Sequence, residues 1–171
     1  MAKEARPYRT DTGHLALTAD KTLDEIPSAD VLVVPGGPGS WRASKDDETR
    51  AFIQRIHATT TWTTSVCTGA ELLAAAGLLE GLSATTYWNR RDRLASLGAV
   101  PVEERWVRNG KVVTAAGVSA GIDMAIQLVA WQLGDQMGQA LQLGIEYDPA
   151  PPFSFSEIPD AIRQMVAAMA G

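Results

Sequence analysis

Cys67 is the residue of this sequence best placed to act as a nucleophile. It follows the β-branched run TWTTSV and precedes a segment with helical periodicity, so it lies where a buried strand turns into a helix. Ser65 and Gly69 are small enough for a sharp turn that exposes the side chain between them. Free N–H groups and the dipole at the start of the helix would lower the pKa of the thiol and hold a developing anion. One interpretation is a nucleophile elbow with sulfur in place of oxygen; the other is a small buried apolar cysteine.

The sequence PGGPG at residues 35–39 could provide the other half of such a site. It follows four consecutive aliphatic residues, VLVV, a pattern typical of a strand buried on both faces. A glycine loop at the carboxyl end of such a strand lies where open α/β sheets bind ligands. We expect the N–H groups of Gly36 and Gly37 to face the thiol and complete an oxyanion hole, although the same residues would also make an ordinary turn. Because no Gly-Lys-Ser/Thr sequence follows, a Walker-type phosphate loop is excluded.

The proton-transfer partner that a nucleophile needs is not evident from the sequence. His57 falls on a predicted helix and His14 in a predicted strand, and both are expected to be structural or surface residues. Thr68, rather than a histidine, follows Cys67. Glu71 lies one helical turn beyond Cys67 and could approach it, although a solvated helix face is its expected position.

Other polar and aromatic side chains have weaker functional signals. Asp123, near the start of a predicted helix, is expected to satisfy backbone N–H groups there. Trp41, Tyr87 and Trp88 could line a pocket or simply pack. Cysteine, histidine and carboxylate residues nowhere have the spacing of metal ligands, so the sequence predicts no metal site.

These residues require a scaffold of alternating strands and helices. Strands are predicted at 14–19, at 31–34 and over the run that ends at Cys67. One helix is predicted to begin after Asp46 or Asp47, with Phe52, Ile53 and Ile56 as its apolar stripe. Further helices are predicted from Thr68 to Gly77 and over 88–97, 122–133, 135–145 and 158–169. The dipeptide Asn109-Gly110, between alternating segments at 101–107 and 111–114, predicts a β-hairpin. The pattern favours an α/β fold around a mostly parallel sheet.

Composition limits the classes of protein to which the chain can belong. Its 171 residues correspond to one domain, and 46% hydrophobic with 20% charged residues is globular composition. A net charge of −5 without any Lys/Arg-rich run argues against a nucleic-acid binder. The N-terminus has no apolar leader, and no apolar stretch approaches the ~18 residues of a membrane span. A single cysteine fits a reducing compartment, so we expect one soluble cytoplasmic domain over residues 1–171.

Four stretches of the chain together resemble the DJ-1/PfpI superfamily, which shares the fold of the class I glutamine amidotransferases. The stretches are VLVVPGGPG at 31–39, TTSVCTGAELLAAAGLLEGLSATTYW at 63–88, PVEERWVRNGKVVTAAGVSAGIDMA at 101–125 and LGIEYDPAPPF at 143–153. Within the superfamily the closer resemblance is to the isonitrile hydratases, and it extends over about residues 11–155.

The resemblance implies a flavodoxin-like three-layer sandwich, a homodimer and a small-molecule substrate. It implies that Cys67 is the nucleophile, assisted by Thr68 and by backbone N–H groups of Gly36 and Gly37, and we expect Trp88 of the matching ATTYW segment to help bind substrate. In an isonitrile hydratase the thiolate attacks the terminal isonitrile carbon to give a thioimidate. Water then releases an N-substituted formamide, and neither cofactor nor metal is needed.

The N-terminal segment departs from the family pattern. Family chains open with a short apolar strand and a helix whose acidic residue contacts the nucleophile, whereas residues 1–11 here are polar. The first strand of a doubly wound sheet is central, so its loss would leave two buried strand edges unpaired, at about 1–3 kcal/mol for each orphaned buried group. We expect either a true start upstream of Met1 or another solution, such as a partner chain or rearranged strand pairing.

Three hypotheses about function are open at this point. The chain could be a cysteine-dependent isonitrile hydratase, weakly active or inactive if the family's acid is missing. It could be a non-catalytic module that binds a small molecule or senses oxidants through Cys67, related to the amidotransferase-like domain of AraC-type regulators. It could also be a truncated, inactive homologue that folds poorly alone. No helix-turn-helix module follows residue 155, so the regulator hypothesis lacks its DNA-binding half.

Overall fold

The computed structural model describes residues 1–10 and 13–169. The strands are β1 (Pro7–Arg9), β2 (Ala16–Thr18), β3 (Val31–Val34), β4 (Trp62–Val66), β5 (Ser83–Ala84), β6 (Val100–Pro101), β7 (Trp106–Asn109) and β8 (Val112–Ala115). The helices are α1 (Ser40–Ala43), α2 (Asp47–Thr59), α3 (Gly69–Ala75), α4 (Arg91–Ser96), α5 (Val118–Leu133), α6 (Asp135–Gly144) and α7 (Asp160–Met169). Short 3-10 turns lie at Trp88–Arg90 and Phe155–Glu157. The predicted alternation of strands and helices is confirmed.

The central sheet brings three strand ends to one edge. Its order is β3-β4-β8-β7, with β3, β4 and β8 parallel and β7 antiparallel to β8. Val34 is in register with Ser65, and Val66 with Ala115, so the chain leaves all three parallel strands at the same level. The glycine loop, Cys67 and the segment after β8 therefore meet at the carboxyl edge, where open α/β sheets place their sites.

Helices cover the sheet on both faces, which makes the fold a three-layer sandwich. Neighbouring residues of β8 point to opposite faces: Val112 belongs to the core beneath α2 and α3, and Val113 to the core beneath α5. The α2 helix shows how the sequence specifies this packing. The Asp46 side chain accepts the Thr49 N–H at 2.7 Å as an N-cap, and the predicted stripe of Phe52, Ile53 and Ile56 is buried.

The β7–β8 hairpin is confirmed, but its turn is one residue further along than the dipeptide suggested. Asn109 pairs with Val112, so the two residues between the strands are Gly110 and Lys111. Gly110 has a positive φ of 58°, a conformation that glycine adopts without steric cost. Asn109 stays in the strand, where its side-chain amide donates to the Ser83 carbonyl at 2.7 Å.

The β3 strand differs from the sequence expectation of burial on both faces. Leu32 and Val34 are buried, whereas Val31 and Val33 are 48% and 54% exposed. Among residues 1–10 and 13–169, β3 pairs with β4 alone and forms the end of the sheet. The alternation shows that one face of β3 is packed while the other face is partly open to water.

The polar N-terminal segment forms a strand that the sequence did not predict. β1 pairs antiparallel with β2 as a separate two-stranded sheet, with Pro7 opposite Thr18 and Arg9 opposite Ala16. Strand pairing therefore takes place within this hairpin and not at β3. Of the rearrangements considered for the open edge of β3, pairing with the N-terminal segment does not occur among the described residues.

Candidate active site

Cys67 lies in a strained turn between β4 and α3. Its φ is 58°, in the left-handed region that costs a non-glycine residue about 1–2 kcal/mol. Backbone bonds hold it there: the Cys67 N–H donates to the carbonyl of Ala116 at 2.6 Å, and the Cys67 carbonyl accepts the Thr86 hydroxyl at 3.0 Å. The turn is the elbow that the sequence predicts, with the thiol partly exposed at the carboxyl edge of the sheet.

Two glycines allow the elbow and the glycine loop to pack against each other. A Cβ atom at Gly36 would lie 2.6 Å from the Thr68 nitrogen and 2.9 Å from the Cys67 Cβ. A Cβ atom at Gly69 would overlap the carbonyl oxygen of Val34. Both contacts are closer than any side chain permits, so glycine is required at each position for the loop and α3 to approach this closely.

The hydroxyl of Thr68 ties the elbow to the glycine loop. It accepts the Gly37 N–H at 2.9 Å and lies 3.2 Å from the Gly37 carbonyl, to which it donates. The N–H of Gly37, expected to face the thiol, is therefore bonded to Thr68. Gly36 is the loop residue that lies directly against Cys67.

A cavity of about 150 Å³ opens at the thiol. Its lining combines the Cys67 thiol, the glycine loop and a polar wall from the segment before and within α4: Gly37, Pro38, Ser40, Cys67, Thr68, Tyr87, Arg90 and Arg93. Trp88 lines a neighbouring cavity of about 490 Å³ together with Arg105 and Phe155. The Tyr87 side of the ATTYW segment thus faces Cys67, and Trp88 does not line the cavity at the thiol.

Glu71 is a buried carboxyl directly behind this cavity. The expectation of a solvated position is wrong, because α1, α2 and α4 all pack against α3 and its residues from Gly69 to Ala74 are buried. Within the described part of the chain, neither carboxylate oxygen of Glu71 accepts a hydrogen bond. Burial raises the pKa of Glu71, and the nearby charges of Arg93 and Arg90 partly oppose that rise.

Arg93 connects Glu71 to the cavity wall. Its Nη1 lies 3.7 Å from Oε2 of Glu71, and its guanidinium stacks over the Trp41 ring at 4.4 Å from the centroid. Trp41, which the sequence suggested as a possible pocket residue, stacks against the guanidinium of Arg93. Sequence reasoning missed Arg90 and Arg93; the available signal was their spacing of three, which puts both on one face of a helix.

The remaining candidates for proton transfer have structural roles away from the cavity. Nδ1 of His57 lies 2.8 Å from the hydroxyl of Thr63, near the beginning of β4 and so at the opposite end from Cys67. Burial, followed by the charge of Lys111, lowers the pKa of His57. His14 is exposed beside β2. These positions agree with the structural interpretation of both histidines.

Asp123 does not cap its helix as the sequence suggested. It lies beyond the first turn of α5, which begins at Val118, and the free N–H groups of a helix are confined to that turn. Its carboxylate instead pairs with Arg105 and accepts the Tyr147 hydroxyl at 2.8 Å. This bond joins α5 to the segment after α6.

Neither a metal-ligand cluster nor a membrane-spanning helix occurs among the described residues. Among the described residues, no group of three or more histidine, cysteine or carboxylate side chains could hold a metal ion. In the same part of the chain, no helix has the length and apolar character needed to cross a membrane.

The sequence of the chain is similar to those of an enzyme and of a transcriptional regulator. The chain is 44% identical over 164 residues to isonitrile hydratase from Pseudomonas putida, which covers 96% of this chain and 71% of that protein. It is 30% identical over 142 residues to the HTH-type transcriptional regulator CdhR from Pseudomonas aeruginosa, covering 80% of this chain and 41% of the regulator.

Solved structures show the same fold. A ThiJ/PfpI family protein from Pseudomonas syringae superposes with a TM-score of 0.91 at 38% identity, covering 99% of this chain and 72% of that chain. A DJ-1 superfamily protein from Salmonella typhimurium gives a TM-score of 0.74 at 26% identity, covering 86% and 81%. The model of the DJ-1/PfpI family matches residues 1–131. The chain therefore belongs to the DJ-1/PfpI family.

Proposed function

We propose that this protein hydrates isonitriles to N-substituted formamides, with Cys67 as the nucleophile. The observation that carries the proposal is the thiol held in a left-handed elbow at the mouth of a small cavity. Strain of this kind persists only where the surrounding structure imposes it, and it is concentrated at functional sites. The 44% identity to isonitrile hydratase supports this chemistry over other reactions of a cysteine.

The proposed reaction consumes one water per isonitrile. The Cys67 thiolate forms a bond to the terminal carbon of R–N≡C, and that carbon takes up a proton to give the thioimidate R–N=CH–S. Water then adds to the same carbon while the nitrogen gains a proton. The C–S bond breaks as the new hydroxyl group loses its proton, which replaces the proton taken up in the first step; the thiolate is regenerated, and R–NH–CHO leaves. Every atom of the product comes from the isonitrile and water.

Each neighbouring group has a proposed part in these steps. The Thr68 hydroxyl, fixed by its bonds to Gly37, assists proton movement at the thiol. Because the Gly37 N–H is bonded to Thr68, we assign the backbone donor of the anion-stabilising pair to Gly36, with Gly37 as the residue that fixes the loop. Trp88, whose ring centroid lies 5.9 Å from that of Tyr87, supports the aromatic wall of the cavity.

Proton transfer is the weaker part of this site. Within the described residues, the cavity lining contains no carboxylate. A positioned acid or base contributes about 10²–10⁴-fold to a rate, so we propose that the present chain turns over isonitriles slowly. Rapid turnover, at rates typical of enzymes, would contradict this part of the proposal.

The decisive experiment measures formamide formation from a simple alkyl isonitrile by the appearance of the formyl proton in NMR spectra. We expect slow, saturable turnover by the wild-type chain and its complete loss in Cys67→Ala and Cys67→Ser. Retained activity in both variants would show that Cys67 is not the nucleophile.

A second candidate function is a module that binds a small molecule without converting it. The 30% identity to the regulators CdhR and GbdR, over 80% and 74% of this chain, favours it. Binding of an isonitrile that leaves both ligand and Cys67 chemically unchanged by mass spectrometry would support this candidate over the enzyme.

We further propose that the chain works as a homodimer in the cytoplasm. Several large apolar side chains are more than half exposed, including Leu133 and Leu143 at the ends of α5 and α6. Exposed apolar surface of this kind is typical of a face that association covers. Light scattering after size-exclusion chromatography should give twice the chain's mass, and a monomer mass at all concentrations would contradict the proposal.

A further inference from the structure

The cavity at Cys67 has a cationic wall. Arg90 and Arg93 both line it, and the lining holds no acidic side chain within the described part of the chain. Behind the wall, Oε2 of the fully buried Glu71 lies 3.7 Å from Nη1 of Arg93. Because Glu71 is fully buried, a molecule in the cavity meets the guanidinium of Arg93 and not the carboxyl that lies behind it.

Arg93 is held in place before any ligand arrives. Its guanidinium is fixed between the Trp41 ring at 4.4 Å and the Glu71 carboxylate, whose Oε2 is 3.7 Å from Nη1. A guanidinium carries five N–H donors in a planar fork, and the contact to Glu71 is longer than a hydrogen bond. A preorganised arginine of this kind loses little conformational entropy when it binds a planar anion.

Two other arginines close to Arg93 in the structure or to Trp41 in the chain show that this placement is specific. Arg91 pairs with Glu103 and lines the larger cavity on the other side of Tyr87. Arg42, which follows Trp41 in the chain, is exposed and does not line the cavity. Arg90 and Arg93 therefore line the cavity at the thiol, whereas Arg42 and Arg91 do not.

We propose that this cavity selects small electrophiles that carry a carboxylate, which Arg93 and Arg90 bind while Cys67 attacks the reactive carbon. For turnover, this inference rests on the proposed function, and the substrate class becomes isonitriles that bear a carboxylate, such as isocyanoacetate. The planar carboxylate matches the guanidinium fork of Arg93 in a bidentate geometry. Recognition of the anion itself does not depend on hydratase activity.

The first test uses two alkylating agents of similar size and different charge. Iodoacetate and iodoacetamide both alkylate a thiolate: sulfur bonds to the CH₂ carbon and iodide leaves. The single cysteine of the chain makes the product unambiguous. We expect the ratio of the iodoacetate rate to the iodoacetamide rate at Cys67 to exceed the ratio for free glutathione by about tenfold. A ratio equal to that of glutathione would overturn the proposal.

Matched variants assign the effect to the cavity. Arg93→Gln should bring the ratio down to that of glutathione, and Arg93→Lys should retain part of the preference, because it keeps the charge and loses the fork. Arg42→Gln removes the same charge outside the cavity and should leave the ratio unchanged. If Arg42→Gln lowers the ratio as much as Arg93→Gln, general electrostatics explain the effect and the proposal is wrong.

Circular dichroism checks that each variant is folded, and Arg90→Gln provides a second test of the wall if Arg93→Gln does not fold.

The second test compares turnover of isocyanoacetate with that of its methyl ester. A higher kcat/KM for the acid, lost in Arg93→Gln, supports the inference. Equal turnover of acid and ester contradicts it and leaves the proposed function standing. If neither compound is converted while Cys67 still prefers iodoacetate, the proposed function fails and the anion site stands.

Discussion

Gly36 and Cys67 approach each other so closely that no side chain fits between the glycine loop and the elbow. A Cβ atom on Gly36 would lie 2.9 Å from the Cβ of Cys67. The contact connects β3 and β4 at the point where both strands end, and it sets the position of the loop relative to the thiol. The arrangement of the loop around the thiol therefore depends on a glycine that is distant from Cys67 in sequence.

Replacing this glycine should displace the loop from the thiol. We expect Gly36→Ala to destabilise the fold by about 1–3 kcal/mol, the usual cost of overpacking, and to lower the alkylation rate of Cys67 at least severalfold. Gly39→Ala is the matched control: it lies in the same loop, has φ −80°, and its Cβ would meet nothing within 4 Å. Urea unfolding and iodoacetamide kinetics on both variants test the prediction, which fails if the two behave alike.

The hydroxyl group of Thr68 should contribute more to stability and to reaction at Cys67 than the shape of the Thr68 side chain does. Thr68→Val removes both bonds to Gly37, and we expect a loss of about 1 kcal/mol in the free energy of unfolding with slower reaction at Cys67. Thr68→Ser keeps the hydroxyl and should remain close to wild type in both measurements. Equal loss in the valine and serine variants would point to packing instead of hydrogen bonding.

Because the backbone at position 67 is left-handed, the protein should be more stable with glycine at this position than with another residue. Cys67→Gly relieves a strain of about 1–2 kcal/mol, whereas Cys67→Ala keeps it, and both variants lack the thiol. We expect Cys67→Gly to unfold at higher urea concentration than Cys67→Ala. The opposite order would mean that the elbow imposes no strain and that the greater chain entropy of glycine decides the comparison.

Oxidation of the thiol tests the sensing alternative. A partly exposed thiol in an elbow should react with hydrogen peroxide to sulfenic and then sulfinic acid. Peptide mass spectrometry after titration should find Cys67 modified at lower peroxide than any of the 5 methionines. Methionine oxidation before any change at Cys67 would argue against a sensor.

The elements of the fold were largely predictable because they depend on local spacing. The stripe of Phe52, Ile53 and Ile56 and the strand-to-helix turn at Cys67 are both encoded within a dozen residues. The burial of β3 was not predictable in the same way. Four consecutive aliphatic residues indicate burial on both faces, but Val31 and Val33 are exposed, because burial of the second face depends on the elements that pack on it and not on the strand's own sequence.

The turn at Cys67 was predictable from the local sequence, whereas the surroundings of the thiol were not. Arg93 reaches the cavity and Glu71 is buried because α3 and α4 pack against each other, a contact that no spacing in the sequence reports. Helical periodicity could place Glu71 one turn after Cys67 but could not say what covers it. Tertiary packing determined whether that carboxyl met solvent or Arg93.

The buried carboxyl of Glu71 leads to a prediction about pH. Burial raises the pKa of Glu71 in the folded state above its ordinary value of 4.5, so the unfolded chain releases this proton more readily than the folded protein. Above pH 4.5 folding therefore costs free energy, either to bind a proton at Glu71 or to bury a poorly solvated carboxylate, and this cost disappears once the pH falls below 4.5 and both states are protonated. Glu71→Gln keeps the size of the side chain and removes the charge. We expect the variant to have a higher Tm than wild type at pH 7.5, with a difference that shrinks as the pH falls toward 4.5.

Glu48→Gln, an exposed position on α2, serves as the control for a change of one charge. A Tm difference between Glu71→Gln and wild type that stays constant from pH 7.5 to 4.5 would show that Glu71 is ionised without cost, through its contact with Arg93.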